Sequence, residues 1–292
     1  MVDSVYVSLL FAFALLSVAS ALHAMWNGLV KRANTVDSLF VWVYSVLGVP
    51  VFAAVLIAGL LENAVDAANW WPALISTLLH TAYALVLQRA YAAAALGVVY
   101  AVARGLAPPL VLLGVFVAGG PAPGGTGWVA MTIVLVGVVL VSDVGAATGD
   151  ARVCSRGLGW GLLVAACIAA YTLWDSYAIA ALGVDIGAYV STAGLAQAAL
   201  LSAAMWSRRS EMTKMLAGTW RVALPITVLV PLSYGLVLLA MQYASPELVA
   251  TMRNLNIVFG VLVGVVLLGE RQSARAWFGV LVIVAGAMLA TW

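Results

Sequence analysis

Ten stretches of about 20 apolar residues, separated by short polar or Gly/Pro-rich breaks, run through the chain and constrain its fold more than any other feature. They are Val5 to Val30, Leu39 to Leu61, Trp71 to Ala92, Gly97 to Val117, Trp128 to Val144, Leu158 to Leu182, Ile186 to Trp206, Val222 to Tyr243, Leu248 to Leu268 and Trp277 to Trp292. A helix of that length crosses the hydrocarbon core of a bilayer. Backbone groups facing lipid have no water to bond, and the runs are too long for barrel strands, so α-helices are expected throughout. Of the 292 residues, 65% are hydrophobic and 8% charged, against about 25% charged in an ordinary soluble domain. That excludes a soluble enzyme. Ten spans leave about 90 residues for connections and ends, too few for a sizeable extramembrane domain. The net charge of +2 is small and scattered and offers no nucleic-acid surface.

Eleven of the 13 basic residues fall at the end of or after odd-numbered spans: Lys31, Arg32, Arg89, Arg152, Arg156, Arg208, Arg209, Lys214, Arg221, Arg271 and Arg275. The termini and the even-numbered connections hold none, and Glu62, Asp66, Asp185 and Glu247 lie there instead. By the positive-inside rule both termini face the outside. The first run follows Asp3 rather than a basic segment and is too long for a signal-peptide core, so it is expected to be retained as a span. Cys154 and Cys167 are held apart by helical rise, and no disulfide is expected.

Sliding the sequence on itself by about 149 residues brings four blocks into register in the same order. ALHAMWNG from Ala21 lies over AAYTLWDS from Ala169, so Trp26 meets Trp174, Asn27 meets Asp175 and His23 meets Tyr171. ARGLAP with Arg104 lies over MRNLNI with Arg253, and VLLGVFVAGG and GWVAMTIVLVGVVL follow onto VLVGVVLLGE and AWFGVLVIVAGAML. Five spans per copy is an odd number, so the second copy enters the membrane from the opposite side. The expected architecture is an all-α polytopic membrane protein, ten transmembrane helices in a 5+5 inverted repeat around a central cavity. Residues 1–145 form the first five-helix repeat, 146–156 a cytoplasmic linker and 157–292 the second repeat. Such a pseudo-two-fold axis in the membrane plane is the geometry from which alternating access follows. On this scheme Arg104 sits about 10 Å below the cytoplasmic edge and Arg253 a similar depth below the outer edge.

The segments HAMWNGLVKR, ARGLAPPLVLLGV and ATMRNLNIVFGVLVGVVLLGE make the halves resemble two copies of the EamA domain of the drug/metabolite transporter superfamily, over essentially the whole chain. The resemblance implies a ten-helix exporter of the bacterial inner membrane, most like the aromatic amino-acid exporters. One departure stands out: the first copy ends in Gly119 and Gly120 where the second has Gly269 and Glu270, so the acidic residue of that motif occurs once.

Ionisable groups at membrane depth are costly unless paired or wet, which makes them site markers. Asp175 is either a contact for a substrate amine or coupling proton, or an interhelical hydrogen-bond partner. His80, with Tyr83 and Ser76 on its face, and Tyr234 on the eighth span are candidates for a cavity wall that donates hydrogen bonds and stacks on a ring. His23, Trp26, Asn27, Tyr100 and Trp174 complete the candidate substrate-binding set. Arg104 and Arg253 are read as structural or gating pins, with contact to a substrate carboxylate as the other option. Pro108 and Pro231, with Pro50, Pro109 and Pro225, interrupt spans and are hinge candidates. Gly260 and Gly264 form a small-xxx-small step that reads as close helix packing.

No metal-ligand cluster, phosphate loop or nucleophile motif is present in the sequence, so no cofactor, no metal and no enzymatic activity are expected. The expected function is export of small amphiphilic metabolites, foremost aromatic or other neutral amino acids, by a monomeric carrier whose partners are its solute and the lipid bilayer. A multidrug exporter of hydrophobic cations is the nearest alternative, and a lipid-intermediate flippase a more distant one.

Overall fold

The computed structural model describes residues 2–32, 38–61, 70–93, 96–121, 124–141, 151–269 and 273–289. Within them the apolar stretches are helical: α1 (Val2–Arg32), α2 (Ser38–Leu61), α3 (Trp71–Ala93), α4 (Leu96–Val117), α5 (Gly125–Val141), α6 (Ala151–Ser176), α7 (Ile186–Ala204) and α8 (Arg209–Ala240). The ninth stretch is divided into α9 (Pro246–Met252) and α10 (Leu255–Leu268), and α11 (Ala274–Leu289) follows. Six of these segments are long and apolar enough to cross a membrane, and shorter apolar helices accompany them. Val7, Leu61, Phe116, Val117, Val266 and Leu281 stand exposed on different helices. A soluble monomer rarely shows apolar surface on that scale, whereas lipid is a suitable solvent for it.

Several boundaries depart from the expectation. The basic stretch after the seventh span is helix: α8 starts at Arg209, and Arg208 bonds Glu211 at 2.7 Å on its exposed side. Met212, Met215, Leu216 and Ala223, at helical spacing among the charges, pack with Leu39, Phe40 and Val43 of α2. Helix α6 starts at Ala151, inside the segment expected to be linker. Glu247 sits in the first turn of α9 and is buried, its Oε1 accepting from the Ser245 hydroxyl, because Pro246 starts the helix just before it. Glu62, Asp66 and Glu270 lie outside the described residues.

The prolines expected to interrupt spans do not end any helix. Pro50, Pro108, Pro109, Pro225 and Pro231 all lie inside continuous helices; a proline deletes one backbone donor, which a long packed helix tolerates. The breaks fall elsewhere. At Arg253 and Asn254 the backbone bonds of the ninth span tighten from four-residue to three-residue spacing, with Asn254 N–H to Thr251 O, Asn256 N–H to Arg253 O and Ile257 N–H to Asn254 O. At the end of α6 the opposite happens: Tyr177–Ala181 form a wide π turn, closed by Leu182 N–H to Tyr177 O. Both departures from α geometry are typical of functional sites.

Helix α5 lies on α11 and α2 on α7; α4 runs along α6 as α1 runs along α10, and α1 lies on α8 as α3 lies on α6. Exchanging the first five spans for the second five maps this set of pairs onto itself. The α5–α11 contact is backbone on backbone. A Cβ on Gly137 would meet Gly279 O at 2.9 Å and Ile283 Cγ1 at 2.6 Å, and one on Gly286 would meet Val134 N at 2.9 Å. Gly260 has nothing within 4 Å, so the small-xxx-small step of the ninth span is not the close contact at that residue. Close packing belongs to α5 and α11, where the absence of side chains lets two helices touch.

Candidate functional site

Asp175 lies one turn before the wide end of α6 and is buried, at 1% exposure. Beyond the π turn Gly183 adopts φ +64, the left-handed conformation that a side chain would resist, and the chain reverses. The Asp185 side chain then caps α7 by accepting from Ala188 N–H at 2.8 Å. The reversal brings the start of α7 back onto α6 and delivers the Tyr189 hydroxyl to Asp175 Oδ1 at 2.9 Å. From α3, Ser76 Oγ donates to Oδ1 at 2.7 Å and His80 Nε2 lies 3.0 Å from Oδ2. From α8, the Tyr234 hydroxyl donates to Oδ2 at 2.9 Å.

Four side chains from three neighbouring helices thus converge on one carboxyl group. Two oxygens offer about four lone-pair sites, so the set fills the acceptor capacity of a carboxylate, with His80 donating when its proton is on Nε2. Ser76 Oγ and Tyr234 OH are also 3.1 Å apart. Two hydroxyls and three mutual contacts leave that third contact without a hydrogen while Asp175 is ionised. A proton on Oδ2 supplies it, running Oδ2–H to Tyr234, Tyr234 to Ser76 and Ser76 to Oδ1.

An aromatic layer covers this cluster. His80 stacks on Tyr171 at 4.2 Å and meets Tyr234 edge-on at 5.1 Å, while Tyr83 meets Tyr171 edge-on at 5.4 Å. The guanidinium carbon of Arg253 lies 5.4 Å over the other member of the stack, Tyr171. Trp174 donates from Nε1 to Pro72 O at 2.9 Å and packs against Trp71 and Tyr177.

The candidates on α1 do not join the cluster. Asn27 is exposed and donates to its own helix at His23 O, 2.8 Å away. Trp26 packs edge-on to His23 and against the apolar contact of α2 with α8. His23 lies within electrostatic reach of Arg104 and Arg253. Those two arginines, expected near opposite edges, line one small cavity with Ala107, Ile168, Thr172, Ala250 and Asn254. At about 10 Å³ it has room for one water, so this conformation holds no amino-acid-sized hollow there. The side chain of Tyr100 lies outside the described residues.

Sequence reasoning missed Tyr189, Thr172 and Asn254, and saw Ser76 only as a neighbour of His80. Tyr189 carried a usable signal: it follows the Gly183 turn by about as many residues as Asp175 precedes it, so a helical hairpin sets the two face to face. Among the described residues no group of three His, Cys, Asp or Glu side chains is placed to hold a metal ion.

The fold is shared with a solved crystal structure that is 17% identical, with a TM-score of 0.70 over 99% of this chain and 96% of that one. No curated protein matches the sequence. Residues 155–292 match the EamA-like transporter family. The apolar helices and this match support a multi-pass membrane protein whose second half is similar to the EamA-like transporter family.

Proposed function

We propose that the chain is an alternating-access carrier that exports small neutral amino acids, aromatic ones foremost, across a bacterial inner membrane, with both termini outside. The observation that carries this reading is the Asp175 cluster: a carboxyl group at membrane depth, held by Ser76, Tyr189, Tyr234 and His80 and roofed by stacked rings. An acid kept at such cost serves a solute or a proton. An ammonium group has three donors and can take over the places of Ser76, Tyr234 and His80, while a proton completes the ring of contacts between Asp175 and the two hydroxyls.

The closed packing is the occluded state of the cycle. Opening parts α3 and α8 from α6, hands the acid's acceptors from protein donors to the solute, and exposes His80, which is already 28% accessible. Exchange of conformations between two inverted halves turns one opening into the other. The mutually exchanging helix pairs and the reciprocal approach of Gly137 to Ile283 and Gly286 to Val134, residues about 149 positions apart in each copy, support that 5+5 arrangement. So does the shared left-handed glycine after α4 and after α10, Gly119 and Gly269.

A buried acid beneath aromatic faces also favours a second reading, export of hydrophobic cations. Counterflow of labelled phenylalanine, leucine and a hydrophobic amine into liposomes holding the purified protein, with and without a pH gradient, decides between them. Amino-acid counterflow lost in Asp175→Asn supports the proposal. Amine counterflow alone selects the second reading, and no counterflow of any of them overturns both.

A further inference from the structure

The cavity below Tyr171 has its own chemistry. Among the described residues its wall carries two guanidinium-bearing residues, Arg104 from α4 and Arg253 from the break between α9 and α10, together with Asn254, and no carboxylate. Asn254 is buried at the break, where its N–H and those of Asn256 and Ile257 are bonded to the Thr251, Arg253 and Asn254 carbonyls, so the cationic character of this space comes from the two arginine side chains. The floor is Thr172 of α6, 0% exposed, whose Oγ1 has no hydrogen-bond partner. That is unusual in this fold: Thr77, Thr132, Thr227 and Thr251 each return their hydroxyl to the carbonyl four residues back. Only Thr81 shares the exception among the buried hydroxyls described. Two guanidinium-bearing residues and an unpartnered buried hydroxyl around one cavity are an arrangement for an anion, since guanidinium and hydroxyl groups both donate to a carboxylate.

We propose that this cavity is an anion subsite that takes the carboxylate of the transported solute, gripped by Arg253 and Arg104 and by a hydrogen bond from Thr172. The inference rests on the carrier reading above and narrows its substrate class to zwitterions. Thr172 and Asp175 are three residues apart on one face of α6, about 4.5 Å in helical rise. Tyr171 joins the two sites, lying under Arg253 on one side and against His80 on the other. A solute whose ammonium reaches Asp175 sets its carboxylate into this cavity, and the arginines must move to widen a space now sized for one polar atom. A cation without a carboxylate leaves the cavity unused, which separates amino acids from hydrophobic amines.

The test is calorimetric binding to the purified full chain in detergent, with L-phenylalanine, L-phenylalanine amide and phenethylamine as probes. Phenylalanine binds about tenfold or more tighter than either analogue, the scale of one charge-assisted contact. Arg253→Gln and Thr172→Val bring phenylalanine down to the level of phenethylamine and change the amine by less than about twofold, and Arg253→Lys restores part of the difference. Equal binding of acid and amide, or equal loss of all three ligands in both variants, overturns the subsite and leaves those residues a packing role. Thermal stabilisation by acetate and by chloride separates this result from failure of the carrier reading. Acetate stabilisation lost in Arg253→Gln, without any response to amines, keeps the anion subsite and discards the amine role of Asp175. Stabilisation by chloride but not by acetate overturns the carboxylate assignment, as does no response to any probe.

Discussion

Two eight-residue blocks align at a shift of 148, Ala21 to Gly28 in α1 and Ala169 to Ser176 in α6, and their surroundings differ. In α6 the acid is buried under four donors; in α1 its counterpart Asn27 faces outward and satisfies itself on its own helix. Trp174 reaches across to Pro72 O, whereas Trp26 packs on the neighbouring His23. The difference extends to the partners. Tyr189 donates to Asp175, and the residue about 149 positions earlier is Phe40, equally buried but without a hydroxyl. At this pair of positions the loss of the acid and the loss of the hydroxyl go together. On the proposed 5+5 arrangement, packing is kept in both halves and the acid cluster is confined to one.

The comparison is sharpened most by exchanging the acid. Asp175→Asn should abolish counterflow, by about 100-fold or more, because the variant has neither the charge nor the proton site, whereas Asn27→Ala should stay within about twofold. Equal damage from both would dissolve the distinction. Tyr189→Phe puts at this position the side chain that Phe40 has in the first half; removing one hydrogen bond to a charged group should cost about 1.5–3 kcal/mol of stability, read as a fall in Tm. Where the copies are equivalent, matched changes should match. Gly137→Ala and Gly286→Ala each overpack the α5–α11 contact and should lower stability by about 1–3 kcal/mol, to similar extents, seen as equal falls in Tm. The smallest effect is Trp174→Phe, where one neutral hydrogen bond, about 1 kcal/mol, separates it from a neutral Trp26→Phe.

The apolar runs foretold the helices because spanning length and hydrophobicity are properties of contiguous sequence. What they could not show was where a helix starts among charges. The lysine and arginines before Val222 looked like a loop, and only the helical spacing of Met212, Met215 and Leu216 marked them as α8. Prolines were a poor guide to breaks, since losing one donor differs from losing a helix; the real break at Arg253 and Asn254 has no proline. Asp175, His80 and Tyr234 were legible as polar groups in apolar surroundings. Their convergence was not, because it depends on which faces of α3, α6 and α8 meet. Asn27 aligns with Asp175 but its side chain is exposed and bonds His23 O, because alignment in sequence does not fix which way a side chain turns.

The glycine contact between α5 and α11 has a mechanical consequence. Two main chains that touch with no side chain between them have no lubricating layer and no alternative rotamer, so sliding or twisting there meets carbonyls and amides directly. On the proposed alternating-access cycle that seam is the fulcrum about which the remaining helices swing. Spin labels placed along those two rods should keep one separation through the whole cycle while labels elsewhere drift apart and return.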